Sequence, residues 1–147
     1  AVRQNGNALL YADPELRVNR NIILAAVRQD GHALGFASPE LRADREVVLA
    51  AIQNDGNALR FASPELRADR EVVLAAVRHT GRALQYASDY LREDRGIVYA
   101  AVRNDGYSIQ YASLGLRADP EVIQASITQN PRARIFAIRP DPMLGRN

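Results

Sequence analysis

Hydrophobic and polar positions along this chain follow one scheme that returns every 25 residues. Within one copy, Val47, Val48, Ala51 and Ile52 have the i, i+1, i+4, i+5 spacing of an apolar stripe on one side of a helix. Asp44 precedes this stripe, and its carboxylate can accept hydrogen bonds from the first free amides of a helix. The pattern therefore predicts a long helix of about ten residues that begins after Asp44.

The predicted long helix ends at an Asn-Asp-Gly sequence, whose glycine recurs at the same place in every copy. A glycine directly after a helix can adopt the left-handed C′ conformation, so we expect these glycines to end the long helices in that way. They are Gly6, Gly31, Gly56, Gly81 and Gly106.

The second part of each copy is predicted to contain a shorter helix and one further turn. Residues 57–62 are rich in helix formers and too short to alternate convincingly as a strand. Ser63 followed by Pro64 is typical of an N-cap with proline at the first helical position, so one more helical turn should lead to the next aspartate. Each copy is thus predicted to be a helical hairpin plus a turn.

A fixed period of this length is typical of a solenoid. Six large apolar side chains per copy contribute at most about 1.5–3 kcal/mol each on burial, whereas ordering 25 residues costs about 1.5 kcal/mol apiece. One copy should not fold alone, so stability must come from stacking on its neighbours. We predict an all-α protein, a single α-solenoid domain over residues 1–147. Its five full copies of long helix, short helix and turn are residues 6–30, 31–55, 56–80, 81–105 and 106–130.

Both ends of the chain depart from the scheme. Residues 1–5 align with the end of a long helix, so we expect the sequence to start inside a truncated repeat, as an excised piece would. Pro131 replaces the recurring glycine, and Arg134 stands where leucine recurs. Residues 131–147 are therefore expected to form a C-terminal cap and tail.

Composition limits the class of protein. A hydrophobic content of 47% and a charged content of 24% are typical of folded soluble proteins. No apolar run approaches the roughly 18 residues of a membrane span, and the N-terminus lacks a secretory signal pattern, so we expect a soluble protein whose location stays open. Without cysteine it has no disulfide and no thiolate metal site.

The chain is lysine-free, because all 19 of its basic residues are arginine. Codon bias in a GC-rich genome would explain this, and so would avoidance of ubiquitin-acceptor amines inside a eukaryotic host. The sequence alone does not choose between these two explanations.

The phrases Asp-Arg-Glu-Val-Val-Leu-Ala-Ala-Val, Asn-Asp-Gly-Asn-Ala-Leu and Tyr/Phe-Ala-Ser-Pro-Glu-Leu-Arg are the most specific sequence signal. They resemble the repeat catalogued as domain of unknown function 4116, and the resemblance extends over most of the chain. Such repeats occur in bacterial and protist proteins, some of which look like effectors of intracellular pathogens. The resemblance therefore implies part of an effector-like protein, and it brings no catalytic residue.

One arginine recurs in every copy. It could form a basic ladder for phosphates, but acids accompany it throughout, so we favour a guanidinium that bonds a carboxylate or helix-end carbonyls between copies. These structural inter-repeat candidates are Arg17, Arg42, Arg67, Arg92 and Arg117.

Other positions vary among the copies and are candidates for contacting a partner. They lie just before and just after the recurring glycine and three residues further on, and the last two share a face as an i, i+3 pair. They could be an unconstrained solvated face, or a polar stripe of residue types suited to binding. The candidate partner-binding stripe comprises Gln29, His32, Asn54, Asn57, Arg60, His79, Arg82, Gln85, Asn104, Tyr107 and Gln110.

Enzyme chemistry is not indicated by the sequence. His32 and His79 occupy different repeat positions, and neither has a second histidine or a carboxylate at metal-ligand spacing. The chain has no Gly-rich phosphate loop, nucleophile elbow or dinucleotide fingerprint. We expect a non-catalytic protein with no cofactor and no metal.

Two binding functions remain open: a scaffold for protein–protein interaction, and single-stranded RNA binding with one base addressed per repeat. Seventeen acids offset the 19 arginines, and the two signs alternate within each copy, which does not suit a nucleic-acid backbone. We therefore expect a protein or peptide partner, no nucleic acid and no membrane, with the chain as a monomer or weak oligomer.

Overall fold

The computed structural model describes residues 13–139; the predictions made for residues 1–12 and 140–147 lie outside the described residues. Short and long α-helices alternate along this range. They are α1 (Pro14–Arg17), α2 (Arg20–Gln29), α3 (Pro39–Arg42), α4 (Arg45–Asn54), α5 (Pro64–Arg67), α6 (Arg70–His79), α7 (Asp89–Arg92), α8 (Arg95–Asn104), α9 (Leu114–Arg117) and α10 (Pro120–Gln129).

A 3₁₀ helix follows each long helix. These 3₁₀ helices are Gly31–Phe36, Gly56–Phe61, Gly81–Tyr86, Gly106–Tyr111 and Pro131–Phe136. The order of long α-helix, 3₁₀ helix and short α-helix therefore repeats every 25 residues, and the described residues contain no strand.

The helix starts are those that the sequence predicts. The Asp44 carboxylate accepts a hydrogen bond from the backbone N–H of Val47 at 3.2 Å, and Asn19 caps α2 in the same way through Ile22. Ser63 caps α5, whose first position is Pro64. Capping side chains thus separate each long helix from the short one before it.

Burial inside the stack follows the predicted apolar stripe. Val47, Val48 and Ala51 of α4 are fully buried, and Leu59 of the next 3₁₀ helix is buried against them. Each long helix packs on the long helices before and after it, and the 3₁₀ helices pack in the same way on one another. The core lies between these two layers, and the prediction of an all-α solenoid of stacked copies is confirmed.

The segment after each glycine is a 3₁₀ helix, whereas the sequence analysis expected a short helix without distinguishing the type. With three residues per turn, Gly56, Leu59 and Ala62 fall on one side, and all three are buried. Asn57 and Arg60 fall on another side and are more exposed. The period of three in the buried positions is the sequence signal for this form.

The expected left-handed conformation of the recurring glycines is wrong, because no described glycine has a positive φ. The helix α4 ends instead at an extended Asp55 (φ −149°, ψ 118°), and Gly56 starts the 3₁₀ helix. A Cβ atom on Gly56 would lie 2.5 Å from the carbonyl oxygen of Ala76 in α6. Glycine is therefore required by the close approach of the next copy.

Candidate functional site

Arginines at the start of the long helices form ion pairs with the following copy. The Nη1 and Nη2 atoms of Arg45 lie 2.5 Å from a carboxylate oxygen of Asp69 and 2.7 Å from one of Glu71. We call each such contact a rung. Three rungs have two carboxylates, namely Arg20 with Asp44 and Glu46, Arg45 with Asp69 and Glu71, and Arg95 with Asp119 and Glu121.

The rungs also affect the capping aspartates. Hydrogen bonding from Arg20 holds the pKa of Asp44 below its usual value, and Arg70 lowers the pKa of Asp94 in the same way. The arginine side chains are about half exposed, so each rung contributes only modestly to stability. Sequence reasoning missed the rungs, although an Arg-to-Asp spacing of 24 residues in successive copies is their signal.

Asn54 and Asn104, the last residues of α4 and α8, bond to the preceding copy. The Asn54 amide accepts a hydrogen bond from the Gly31 N–H at 2.8 Å and donates to the carbonyls of Arg28 and Gln29. Asn104 accepts from Gly81 at 2.7 Å in the same way. The predicted stripe members Asn54 and Asn104 therefore have contacts inside the stack. Gln29 holds the same position at the end of α2, and the glycine of its preceding copy, Gly6, lies outside the described residues.

His79 makes the corresponding contact through its imidazole. Its Nδ1 atom accepts from the Gly56 N–H at 3.2 Å, which requires the neutral ring with the proton on Nε2. Gln129 supplies an amide oxygen to Gly106 at 2.6 Å. Asparagine, histidine and glutamine can each stand at this position because each offers an acceptor to the N–H of the recurring glycine in the preceding copy.

The other predicted stripe members lie on the outer side of the 3₁₀ helices. An i, i+3 pair eclipses on a 3₁₀ helix, so the two varying positions of each copy project from the same side. We call this surface the 3₁₀ face, and its residues are His32, Asn57, Arg60, Arg82, Gln85, Tyr107 and Gln110.

Side chains of the 3₁₀ face contact one another across copies. The His32 ring meets the Phe61 ring edge-on with centroids 5.9 Å apart, and the Arg60 guanidinium lies 4.5 Å from the centroid of the same ring. The Arg82 guanidinium lies 5.3 Å from the centre of the Tyr107 ring. These contacts form two separate groups along the 3₁₀ face, one around Phe61 and one at Tyr107, and each group joins two successive copies. We call the two groups together the row.

Polar contacts hold parts of this row in place. Gln85 donates from its side chain to the carbonyl of Arg82, and Gln110 donates to that of Tyr107, each at 3.1 Å. Arg82 also forms an ion pair with Asp105 at 2.5 Å, which neutralises one of the exposed cations. Gln85, Gln110 and Arg82 of the row thus each have a polar contact within the folded chain.

The model of a domain of unknown function (DUF4116) matches residues 1–42, 44–92 and 94–138. The chain belongs to this family. Each DUF4116 match covers nearly two of the 25-residue copies, so the family unit corresponds to two stacked copies. No curated protein and no solved structure gives a significant match.

Two of the arginines that recur in every copy of this DUF4116 chain donate to the next 3₁₀ helix. The Nε–H of Arg92 donates to the carbonyl oxygen of Tyr111 at 2.6 Å, and that of Arg117 donates to Phe136 at 2.9 Å. The Nε atoms of Arg42 and Arg67 are buried at the equivalent place without a hydrogen-bond partner among the described residues. Arg17 occupies this position in the first described copy.

Residues 13–139 contain neither a metal-binding cluster nor a membrane-spanning helix. Residues 13–139 contain no group of three histidine or acidic side chains that could hold a metal ion. The described helices are all too short or too polar to cross a bilayer.

Proposed function

We propose that the DUF4116 repeats form a non-catalytic scaffold that binds a protein or peptide partner through the 3₁₀ face. The observation that carries this proposal is the row of arginine and aromatic contacts that crosses copy boundaries at Phe61 and Tyr107. Arginine and aromatic side chains are the groups most enriched at protein interfaces and at their energetic hot spots.

The stack favours binding for a second reason, which is the order of these side chains before contact. Immobilising a flexible side chain on binding costs about 0.5–1.5 kcal/mol. Arg60 already lies over an aromatic ring, and Gln85 is held by a backbone carbonyl. Less of the binding energy is then lost to ordering the surface.

Single-stranded RNA is the second candidate, because Tyr107 and Arg60 could stack on bases. Charge weighs against it. Arg82 is paired with Asp105, and the arginines that begin the long helices, such as Arg20 and Arg45, are paired with carboxylates in the rungs. A groove that follows a phosphate backbone needs unpaired cations along its length.

A pair of matched variants tests the proposal. The face variant carries Arg60→Ala and Gln85→Ala, and the control carries Arg28→Ala and Gln53→Ala on the long-helix layer. Each variant removes one arginine and one glutamine, so the net charge changes equally. Partners captured by the wild type from a lysate would be quantified by mass spectrometry and then purified for calorimetric titration.

The expected result is a partner whose affinity falls about tenfold or more in the face variant and less than twofold in the control. Equal affinity of both variants for every purified partner would remove the 3₁₀ face from consideration. Anisotropy of a labelled mixed-sequence RNA at two salt concentrations decides the second candidate. Tight binding that weakens steeply with salt would favour RNA over protein.

A further inference from the structure

The rung at Arg70 lacks the second carboxylate that the three complete rungs contain. Its Nε atom lies 2.9 Å from a carboxylate oxygen of Asp94, and its Nη2 atom lies 3.4 Å from the other oxygen. The glutamate position of this copy is Gly96. One side of the Arg70 guanidinium is therefore without an acidic partner among the described residues.

Because residue 96 is glycine, the glutamate side chain of the complete rungs is missing there, and Arg70 partly occupies the space that it would fill. A Cβ atom on Gly96 would lie 2.8 Å from the Nη2 atom of Arg70. The guanidinium thus points at the place from which Glu46, Glu71 or Glu121 reaches its arginine in the complete rungs.

This position opens into a groove of about 610 Å³ between α6 and α8, and its walls are basic. Arg70, Arg78 and Arg103 line it, and no acidic residue does so among the described residues. The next groove, between α8 and α10, is lined by Glu121. Three arginines of the long-helix layer therefore meet at this groove, and the Asp94 carboxylate paired with Arg70 offsets only one of their charges.

Apolar surface accompanies the charge in the same groove. Tyr99 stands where the preceding copies have leucine, is 38% exposed, and has the Arg103 guanidinium 6.0 Å from its ring centroid. Leu74 lies on the opposite wall. A ligand here would meet cations beside an aromatic ring and an aliphatic side chain.

We propose that the α6–α8 groove binds a glutamate or aspartate side chain of a partner protein, which takes the place of the glutamate absent at Gly96. A carboxylate fits because an arginine guanidinium has enough donors for a second acid, and because Nη2 of the arginine in each complete rung donates to a glutamate beside the aspartate. Tyr99 and Leu74 then contact the apolar residues that flank the acid. The groove lies on the long-helix layer, so this is a binding site separate from the 3₁₀ face.

The chain offers a matched pair of variants for the test. Gly96→Glu restores the complete rung and fills the site with the protein's own carboxylate; the only atom closer than 3.0 Å to the new Cβ is the end of a flexible arginine. Gly115→Glu makes the same substitution in α9, where nothing lies within 4 Å, and glutamate stands there in other copies. Both variants have the same net charge and are expected to fold.

The probe is the peptide Gly-Leu-Glu-Glu-Leu-Gly with blocked ends, compared with its Gln-Gln counterpart and with inorganic phosphate. Binding would be followed by NMR through the Nε–Hε resonances of the arginines in the full chain. We expect the Glu-Glu peptide to shift the resonances of Arg70, Arg78 and Arg103, and the Gln-Gln peptide to leave them unchanged. Gly115→Glu should bind within twofold of the wild type, and Gly96→Glu at least tenfold more weakly.

Equal binding of the Glu-Glu peptide by Gly96→Glu and the wild type would overturn the proposal, and so would equal losses in the two glutamate variants. Shifts produced by phosphate but not by the acidic peptide would contradict the assignment of a carboxylate. The absence of shifts with all three probes would show that the groove has no such site. None of these outcomes depends on the 3₁₀ face.

Discussion

Substitution of Gly56 by alanine tests the physical reason for the recurring glycine. The new Cβ atom would lie 2.5 Å from the carbonyl oxygen of Ala76 and 2.8 Å from the side chain of Thr80. The carbonyl belongs to the backbone of α6 and cannot rotate away. The two copies must therefore separate by about 0.5 Å before that contact reaches the 3.0 Å below which Cβ atoms essentially never lie.

Two effects of opposite sign set the change in the free energy of unfolding caused by Gly56→Ala. Alanine reduces the conformational freedom of the unfolded chain, which stabilises the fold by about 0.4–1 kcal/mol at a position with ordinary φ. Forcing an extra carbon into a packed core costs about 1–3 kcal/mol, and separation also weakens the hydrogen bond from Gly56 to His79 at 3.2 Å. The steric term is larger, so we expect a net loss of about 2 kcal/mol.

Urea denaturation followed by circular dichroism at 222 nm measures this loss. With a urea dependence of about 1–3 kcal/mol per molar, the midpoint should fall by roughly 1 M. Gly115→Ala is the matched control, because its Cβ atom meets nothing within 4 Å in α9. That substitution should raise stability by about 0.5–1 kcal/mol.

The variant Gly56→Asn distinguishes two explanations for the recurring glycine: close approach of the next copy, and a left-handed conformation at the helix end. Asparagine is tolerated in the left-handed conformation, so a C′ role would leave Gly56→Asn near the wild type. Close approach excludes every side chain, so asparagine should destabilise at least as much as alanine. A midpoint at or above that of the wild type for either variant would refute the steric reasoning.

Other substitutions test single contacts by the same denaturation measurement. Asn104→Ala leaves the Gly81 amide without its acceptor and should cost about 1–3 kcal/mol, and Asn104→His should recover part of the loss; unchanged stability would contradict the contact. Ser108→Ala should stabilise by about 1 kcal/mol, because the Ser108 hydroxyl is buried without a hydrogen-bond partner among the described residues, and a loss would refute this. Gly96→Glu should stabilise by about 0.5–1 kcal/mol through helix propensity and an acid in the first turn, and a destabilised variant would exclude a fourth complete rung. Because the pKa of Asp94 is lowered in the folded protein, its contribution is present above the pKa of the unfolded carboxyl, near 4, and is lost as the pH falls through the lower folded value. Asp94→Asn keeps a capping side chain, so it should reduce the fall in midpoint between pH 6 and pH 2; an identical fall would show that Asp94 makes no such contribution.

Local features of the fold follow directly from the sequence. The apolar stripe of Val47, Val48, Ala51 and Ile52 predicts which side of α4 is buried, and Asp44 predicts where the helix begins. These features depend on neighbouring residues, whose geometry is fixed by the period of the helix. The repeat then extends one local prediction to every copy.

Features that depend on the distance between copies do not follow from local patterns. The role of Gly56 is set by how closely α6 approaches, and no local pattern gives that separation. The rungs join residues 24 and 26 positions apart, which lie side by side only after stacking. Comparison of each arginine with the following copy would have found them, because arginine and aspartate recur together at these spacings.

Variation among copies has two physical origins, and the candidate site depends on separating them. Asn54, His79 and Gln129 differ in type yet each supplies an acceptor to a glycine amide, so their variation shows tolerance within a structural contact. Gly96 is a variation of the second kind, because glycine lacks the carboxylate that the complete rungs have at this position. The stack keeps its geometry without that carboxylate. Substitution at a position of the first kind should change the free energy of unfolding. Substitution at a position of the second kind should change binding. In Gly96→Glu, the free energy of unfolding should rise and the affinity for the acidic partner should fall.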